Sequence, residues 1–105
     1  MEGLSRVEAF DWDDGNRIKN WVKHGVSSQE CEEVFYNAPT LLVPDTKHSQ
    51  KEKRFVVLGK TSSGRALTVV FTLRSRGTLI RIISARNQSM REYKSYKMLC
   101  QKKEN

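Results

Sequence analysis

The stretch KRFVVLGKTSSGRALTVVFTLRSRGTLIRIISA, residues 53–85, decides the fold. It holds three runs rich in β-branched and aromatic residues, 53–60, 65–74 and 79–85, and each gap carries a glycine: Ser62, Ser63 and Gly64, then Ser75, Arg76 and Gly77. Gaps this short leave no room for a crossover, so the runs predict two antiparallel hairpins. With two-residue loops at Ser63 and Gly64 and at Arg76 and Gly77, position 62 faces 65 and position 75 faces 78, which fixes the register. One face then carries Val56, Leu58, Val69, Phe71, Ile80 and Ile82, an apolar layer for helices to cover. The other carries Lys53, Phe55 and Val57, then Thr68, Val70, Thr72 and Arg74, then Arg81 and Ile83. In this register Lys53 lies opposite Arg74, and Arg81 lies opposite Thr72 and diagonal to Arg74, within reach of long side chains.

Outward towards the N-terminus the sequence reads as helical. Asp13, Asp14, Gly15 and Asn16 can cap a first helix with Ile18, Trp21 and Val22 on one face, and Gly25 is a left-handed stop. Ser27 and Glu30 form a capping box for a second helix whose stripe is Cys31, Val34, Phe35 and Ala38, with Pro39 expected to end it. Residues 40–43 predict a further strand ended by Pro44 and Asp45. Residues 46–52 predict a polar, mostly basic loop, the interior segment expected to move most. Beyond the sheet, Ser89 and Glu92 form another capping box, opening a helix with Met90, Tyr93, Tyr96 and Cys100 on one stripe. The fold class is α+β: two N-terminal helices, an antiparallel twisted sheet of about four strands, and a C-terminal helix. One domain over residues 1–105 is expected, with 1–9 and 101–105 as flexible ends.

Charge is distributed unevenly. Residues 1–45 hold nine acidic side chains against four basic ones, residues 46–105 fifteen basic against three acidic, and the whole carries +7. The second half is the part expected to meet a polyanion, since dense positive charge attracts phosphate and releases counterions from nucleic acid. Placed together, Lys53, Arg74 and Arg81 repel one another, an arrangement that a phosphate would turn to use. The alternative is that each arginine pairs with a carboxylate, and Glu52, Glu92 and the acidic first helix are the available ones. No apolar run approaches the roughly 20 residues of a membrane span and no leader-like start is present, so a cytoplasmic location without a membrane partner is expected. Cys31 and Cys100, with His24 and His48, have no zinc-like spacing and read as reduced, packed residues; no metal or other cofactor is expected.

The set Phe10, Trp12 and Asp13, then Lys23–His24–Gly25–Val26, Val34 and Phe35, Arg54, Gly59, Gly64 and Arg65, and finally Arg81–Ile82–Ile83–Ser84–Ala85–Arg86 with Glu92 and Tyr96, resembles the BrnT family of toxins from bacterial type II toxin–antitoxin systems. The resemblance spans residues 10–96. It implies a RelE-like fold, ribonuclease activity without a metal, and neutralisation by a BrnA-like antitoxin that also binds operator DNA, so that DNA is met only through the complex.

Metal-free RNA cleavage proceeds by attack of the 2′-hydroxyl on the adjacent phosphorus. It needs a base, an acid for the leaving group and cations for the equatorial oxygens. Arg74 and Arg81 are the expected phosphate ligands, with Lys53 sharing that role or acting as base, and His24 is a candidate acid–base group that equally suits a helix-end cap. His48 is a weaker candidate. Arg54, Lys60, Arg65 and Arg86 are expected RNA contacts, Arg86 alternatively pairing with Glu92 or an antitoxin carboxylate. Tyr93 and Tyr96 could stack a base, or lie in the core with a polar tip. Trp12 and Trp21 read as core or interface anchors. The competing functions are a non-catalytic nucleic-acid-binding module and a scaffold that chiefly forms the antitoxin complex.

Overall fold

In the computed structural model, which describes residues 4–45 and 52–104, the chain runs β1 (Ala9–Phe10), α1 (Asp14–His24), α2 (Ser28–Tyr36), β2 (Leu41–Asp45), β3 (Arg54–Lys60), β4 (Ala66–Arg74), β5 (Leu79–Asn87) and α3 (Met90–Glu104). The strands form one mixed sheet in the order β1, β5, β4, β3, β2. The hairpins and three helices lie where the sequence predicts them. The fifth strand is a correction: β1 pairs parallel to β5, Ala9 with Leu79 and Phe10 with Ile80. A two-residue strand has no periodicity to read. The expected loop lies outside the described residues except for Glu52.

The first hairpin corrects the expected register. Arg54 pairs with Thr72 and Lys60 with Ala66, so the loop holds three residues, Ser62, Ser63 and Gly64. Thr61 N–H donates to the Arg65 carbonyl at 2.9 Å, Gly64 N–H donates to the Thr61 carbonyl at 3.0 Å, and Gly64 takes φ 91°. Only the third loop residue needs the left-handed region, and the glycine supplies it there. A carboxylate oxygen of Glu33 on α2 accepts from Ser62 N–H at 3.0 Å and holds this geometry. One extra loop residue turns β3 over. Val57 joins the core, Phe55 packs on Phe71 with ring centroids 5.4 Å apart, and Arg54 and Val56 go to the opposite face.

The second hairpin keeps its expected register at the turn, Arg74 with Leu79 and Thr72 with Arg81, over Arg76 (φ 58°) and Gly77 (φ 88°). Further along, Phe71 pairs with Ile82 but Val70 pairs with Ser84, leaving Ile83 as the extra residue of a bulge. The core beneath the helices is Val26, Cys31, Val34, Val57, Leu67, Val69, Phe71, Ile80, Ile82 and Ala85, with Leu4, Val7, Phe10 and Trp12 packed against it. Burial pushes the Cys31 thiol up to about 12, so it stays a neutral hydrophobe. Gly59 lies so close to α2 that a Cβ there would stand 2.9 Å from Val34 Cβ and 3.1 Å from the Val34 carbonyl oxygen.

Both predicted caps of the N-terminal helices form. Asp13 and Asn16 exchange a capping box, Gly25 closes α1 at φ 64°, and Ser27 and Glu30 cap α2. α2 ends at Tyr36, before Pro39, and leaves Ala38 exposed. The face of α1 is reversed from expectation. Ile18, Trp21 and Val22 are 55%, 60% and 77% exposed, while Asn16 and Asn20 are buried. The reason is β5, whose outer edge has no strand beyond β1 among the described residues. Asn16 Nδ2 donates to the Ile82 carbonyl at 3.1 Å, and Asn20 Oδ1 accepts from Ala85 N–H at 3.0 Å. Buried backbone groups need partners, and an asparagine side chain carries both a donor and an acceptor. Edge satisfaction thus overrides the helix's own apolar moment.

Two substitutions test this account. Asn20→Leu leaves Ala85 N–H unsatisfied and is expected to cost about 1–3 kcal/mol, read as a lowered urea midpoint. Gly59→Ala forces β3 from α2 and should cost a similar amount, about 1–3 kcal/mol, in the same assay.

Candidate nucleic-acid interface

On the sheet face away from the core, β3, β4 and β5 floor a hollow of about 350 Å³ with Arg54, Val56, Thr68, Val70, Ile83, Ser84 and Arg86 on its walls and Glu92 of α3 at its rim. The reversed register of β3 brings Arg54 here. The bulge at Val70 and Phe71 brings Ser84 opposite Val70 and sets Arg86 opposite Thr68. Two guanidiniums and two hydroxyls therefore converge on a partly apolar floor, a composition suited to an anion with a planar organic part attached.

Glu92 organises one side of this hollow. Its carboxylate accepts from Arg86 Nη1 at 2.8 Å and Nη2 at 3.0 Å, from Thr68 Oγ1 at 2.8 Å and from Ser89 N–H at 2.8 Å. The Arg86 fork, with the Ser89 amide and Thr68 hydroxyl behind it, outweighs partial burial and holds Glu92 down to about 2. Glu92 in turn raises the pKa of Arg86. At neutral pH Glu92 is thus a fixed anion that aims Arg86 and Thr68, not a proton carrier.

The three cations expected to cluster each have a partner of their own, which is the carboxylate-pairing alternative for the two arginines. Arg74 Nη2 lies 3.2 Å from a Glu52 oxygen. Arg81 Nη2 lies 2.9 Å from Asp13 and its Nη1 lies 3.5 Å from Asp11, at the α1 side of β5. The Asn16 amide and then Arg81 lower the pKa of Asp13, and Asp13 foremost raises that of Arg81. Lys53 places Nζ 5.4 Å from the centroid of the Phe55 ring. Arg81 lines a second, smaller hollow of about 210 Å³ with Gly15, Asn16, Lys19, Ile82 and Ile83.

Of the expected RNA contacts, Arg54 and Arg86 share the larger hollow. Arg65 is committed elsewhere: Nη1 donates to the Gly25 carbonyl at 2.9 Å and lies 3.1 Å from Glu30, Nη2 donates to the His24 carbonyl at 3.3 Å, and Nε donates to Asn87 Oδ1 at 2.8 Å. It clamps the end of α1 to the start of α2, and His24 enters this clamp through its carbonyl. Burial works against ionised Glu30, but the Ser27 amide and Arg65 outweigh it and lower its pKa. Lys60 stands half-buried at the end of β3. Tyr96 is the core tyrosine with a polar tip, 3% exposed, its hydroxyl donating to the Pro39 carbonyl at 2.7 Å, and burial raises its pKa. Tyr93 is exposed on α3. His48 lies outside the described residues. Trp12 packs against the core and donates Nε1–H to Glu32 at 2.7 Å, whereas Trp21 is exposed. Thr68 and Ser84 also line the hollow, and sequence reasoning missed them because only the bulged register brings them to the arginines.

These features define a small α+β protein with an arginine-lined hollow on the sheet face away from its core. The chain belongs to the BrnT family, ribonuclease toxins of type II toxin–antitoxin systems, whose family model matches residues 12–92. Its fold is similar to that of the Brucella abortus ribonuclease toxin BrnT, whose crystal structure aligns with a TM-score of 0.59 at 24% identity, covering 80% of this chain and 100% of that one. No curated protein matches the chain. Membership of this family implies an RNA substrate and an antitoxin partner. Among the described residues no helix is long and apolar enough to cross a membrane.

The Glu92 cluster has a pH signature. Because folding lowers the Glu92 pKa from 4.5 to about 2, its stabilisation is complete above the unfolded value and is lost as pH falls through that window. Glu92→Gln should flatten the dependence of the urea midpoint on pH across the same window, and an unchanged slope would assign the acid sensitivity to other carboxylates.

Proposed function

We propose that this chain is a cytoplasmic, metal-independent endoribonuclease whose cleavage centre is the hollow between Arg54 and Arg86, and that a BrnA-like antitoxin silences it. The observation that supports this reading is the meeting of two guanidiniums and two hydroxyls in one hollow beside a fixed carboxylate. A scissile phosphodiester seated there would place its non-bridging oxygens against Arg54 and Arg86. Attack by the neighbouring 2′-hydroxyl builds negative charge on those oxygens, and preoriented guanidiniums stabilise that charge more than the ground state. Glu92 keeps the Arg86 fork from reorganising as the charge grows. Ser84 is the hydroxyl available to the reacting oxygens, and exposed Tyr93 is the candidate to stack a flanking base. None of the residues lining the hollow is a histidine, so the rate rests on positioning and charge stabilisation more than on a paired acid and base. Operator DNA is met only through the antitoxin.

Single-stranded RNA incubated with the purified protein in chelator should yield fragments with 2′,3′-cyclic phosphate ends. Arg54→Ala should slow cleavage about 10²–10³-fold with the fold retained. Arg81→Ala is the discriminating variant. If it abolishes cleavage while Arg54→Ala does not, the centre lies instead at Arg81, where β5 meets the start of α1. RNA that is bound but left intact by folded wild-type protein would assign the chain a binding role without catalysis.

A further inference from the structure

The outward face of α1 is apolar, and among the described residues nothing covers it. Ile18, Trp21 and Val22 form one stripe, more than half exposed at each position. They point away because Asn16 and Asn20 are held by β5. A tryptophan displayed in this way is the residue type that most often anchors a protein interface.

Charge identifies the occupant. Arg17 flanks the stripe on one side, Lys19 and Lys23 on the other, all three exposed. None forms an ion pair among the described residues. Asp14, at the first turn, is the one acidic group on this face. A second copy of the chain would set these cations against their own kind on a molecule of charge +7. An amphipathic segment with acidic residues on both sides of an apolar stripe would match all of them.

We propose that this face of α1 is the docking surface for an acidic amphipathic helix of the antitoxin, with Trp21 as its anchor. This rests on the toxin–antitoxin reading above. It also separates the two partners in space: the antitoxin grips α1 beside the β5 edge, while RNA occupies the sheet face floored by β3, β4 and β5.

The test uses the full chain and the protein encoded by the reading frame adjoining its own gene, with affinities measured by calorimetry. Trp21→Glu and, separately, Val22→Glu should each weaken the complex about a hundredfold, as loss of a buried anchor does. Both should leave the circular dichroism and RNA cleavage of the wild type unchanged. The pair Lys19→Glu and Lys23→Glu should slow association and remove its salt dependence. If the wild type binds and the variants bind equally, the inference is overturned while the toxin–antitoxin reading stands. If the wild type forms no complex, that reading fails and the inference falls with it. If Trp21→Glu instead abolishes self-association, or sedimentation with phosphatidylglycerol vesicles, the occupant is a second copy or a membrane surface and the inference is overturned.

Discussion

Among the described residues β5 has a full strand neighbour on one side only, and much of the architecture follows from how its other side is satisfied. β1 covers two of its residues, and past Ile80 the backbone groups that face outward would be left without partners inside a folded protein. Asn16 and Asn20 meet them, and in doing so fix the rotation of α1 about its axis. That rotation brings Asp13 to Arg81 and the carbonyls at the end of α1 to Arg65. Arg65 then seizes the capping glutamate of α2, so the two helices and the sheet are locked through one guanidinium. Hydrogen-bond satisfaction at an edge, not apolar burial, sets this half of the architecture.

The positive surplus of the second half divides between structure and site. Arg65, Arg74 and Arg81 are each matched by carboxylates that belong to the scaffold. Arg86 also has a carboxylate, but one that aims it into the hollow it shares with Arg54. Surface ion pairs contribute little to stability on their own. Their effect here is to hold Arg65, Arg74, Arg81 and Arg86 at fixed positions.

Much of the architecture was legible in the sequence: the caps at Asp13, Ser27 and Ser89, the stop at Gly25, and the alternation in residues 53–85. Each is a local rule with a short-range cause. The site was legible only in its residue types. Arg54 and Arg86 stand out as cations, yet their place on one hollow depends on whether the Ser62–Ser63–Gly64 loop holds two residues or three, and on the bulge at Val70. Both depend on tertiary partners, the Glu33 carboxylate among them, that periodicity does not reveal. The inward asparagines of α1 escaped for the same reason: an amphipathic pattern reports which side chains are greasy, not which backbone edge is short of partners.

The parallel pairing of β1 with β5 joins segments about seventy residues apart in the chain. During synthesis the acidic N-terminal segment emerges first and has nothing to dock on until the basic C-terminal half has followed, an interval on the order of 4–14 s at ordinary elongation rates. The hollow, floored by β3, β4 and β5 and rimmed by α3, is itself completed only once Glu92 has been made. Neither the covered edge of β5 nor the hollow can therefore form before residues 79–92 have left the ribosome.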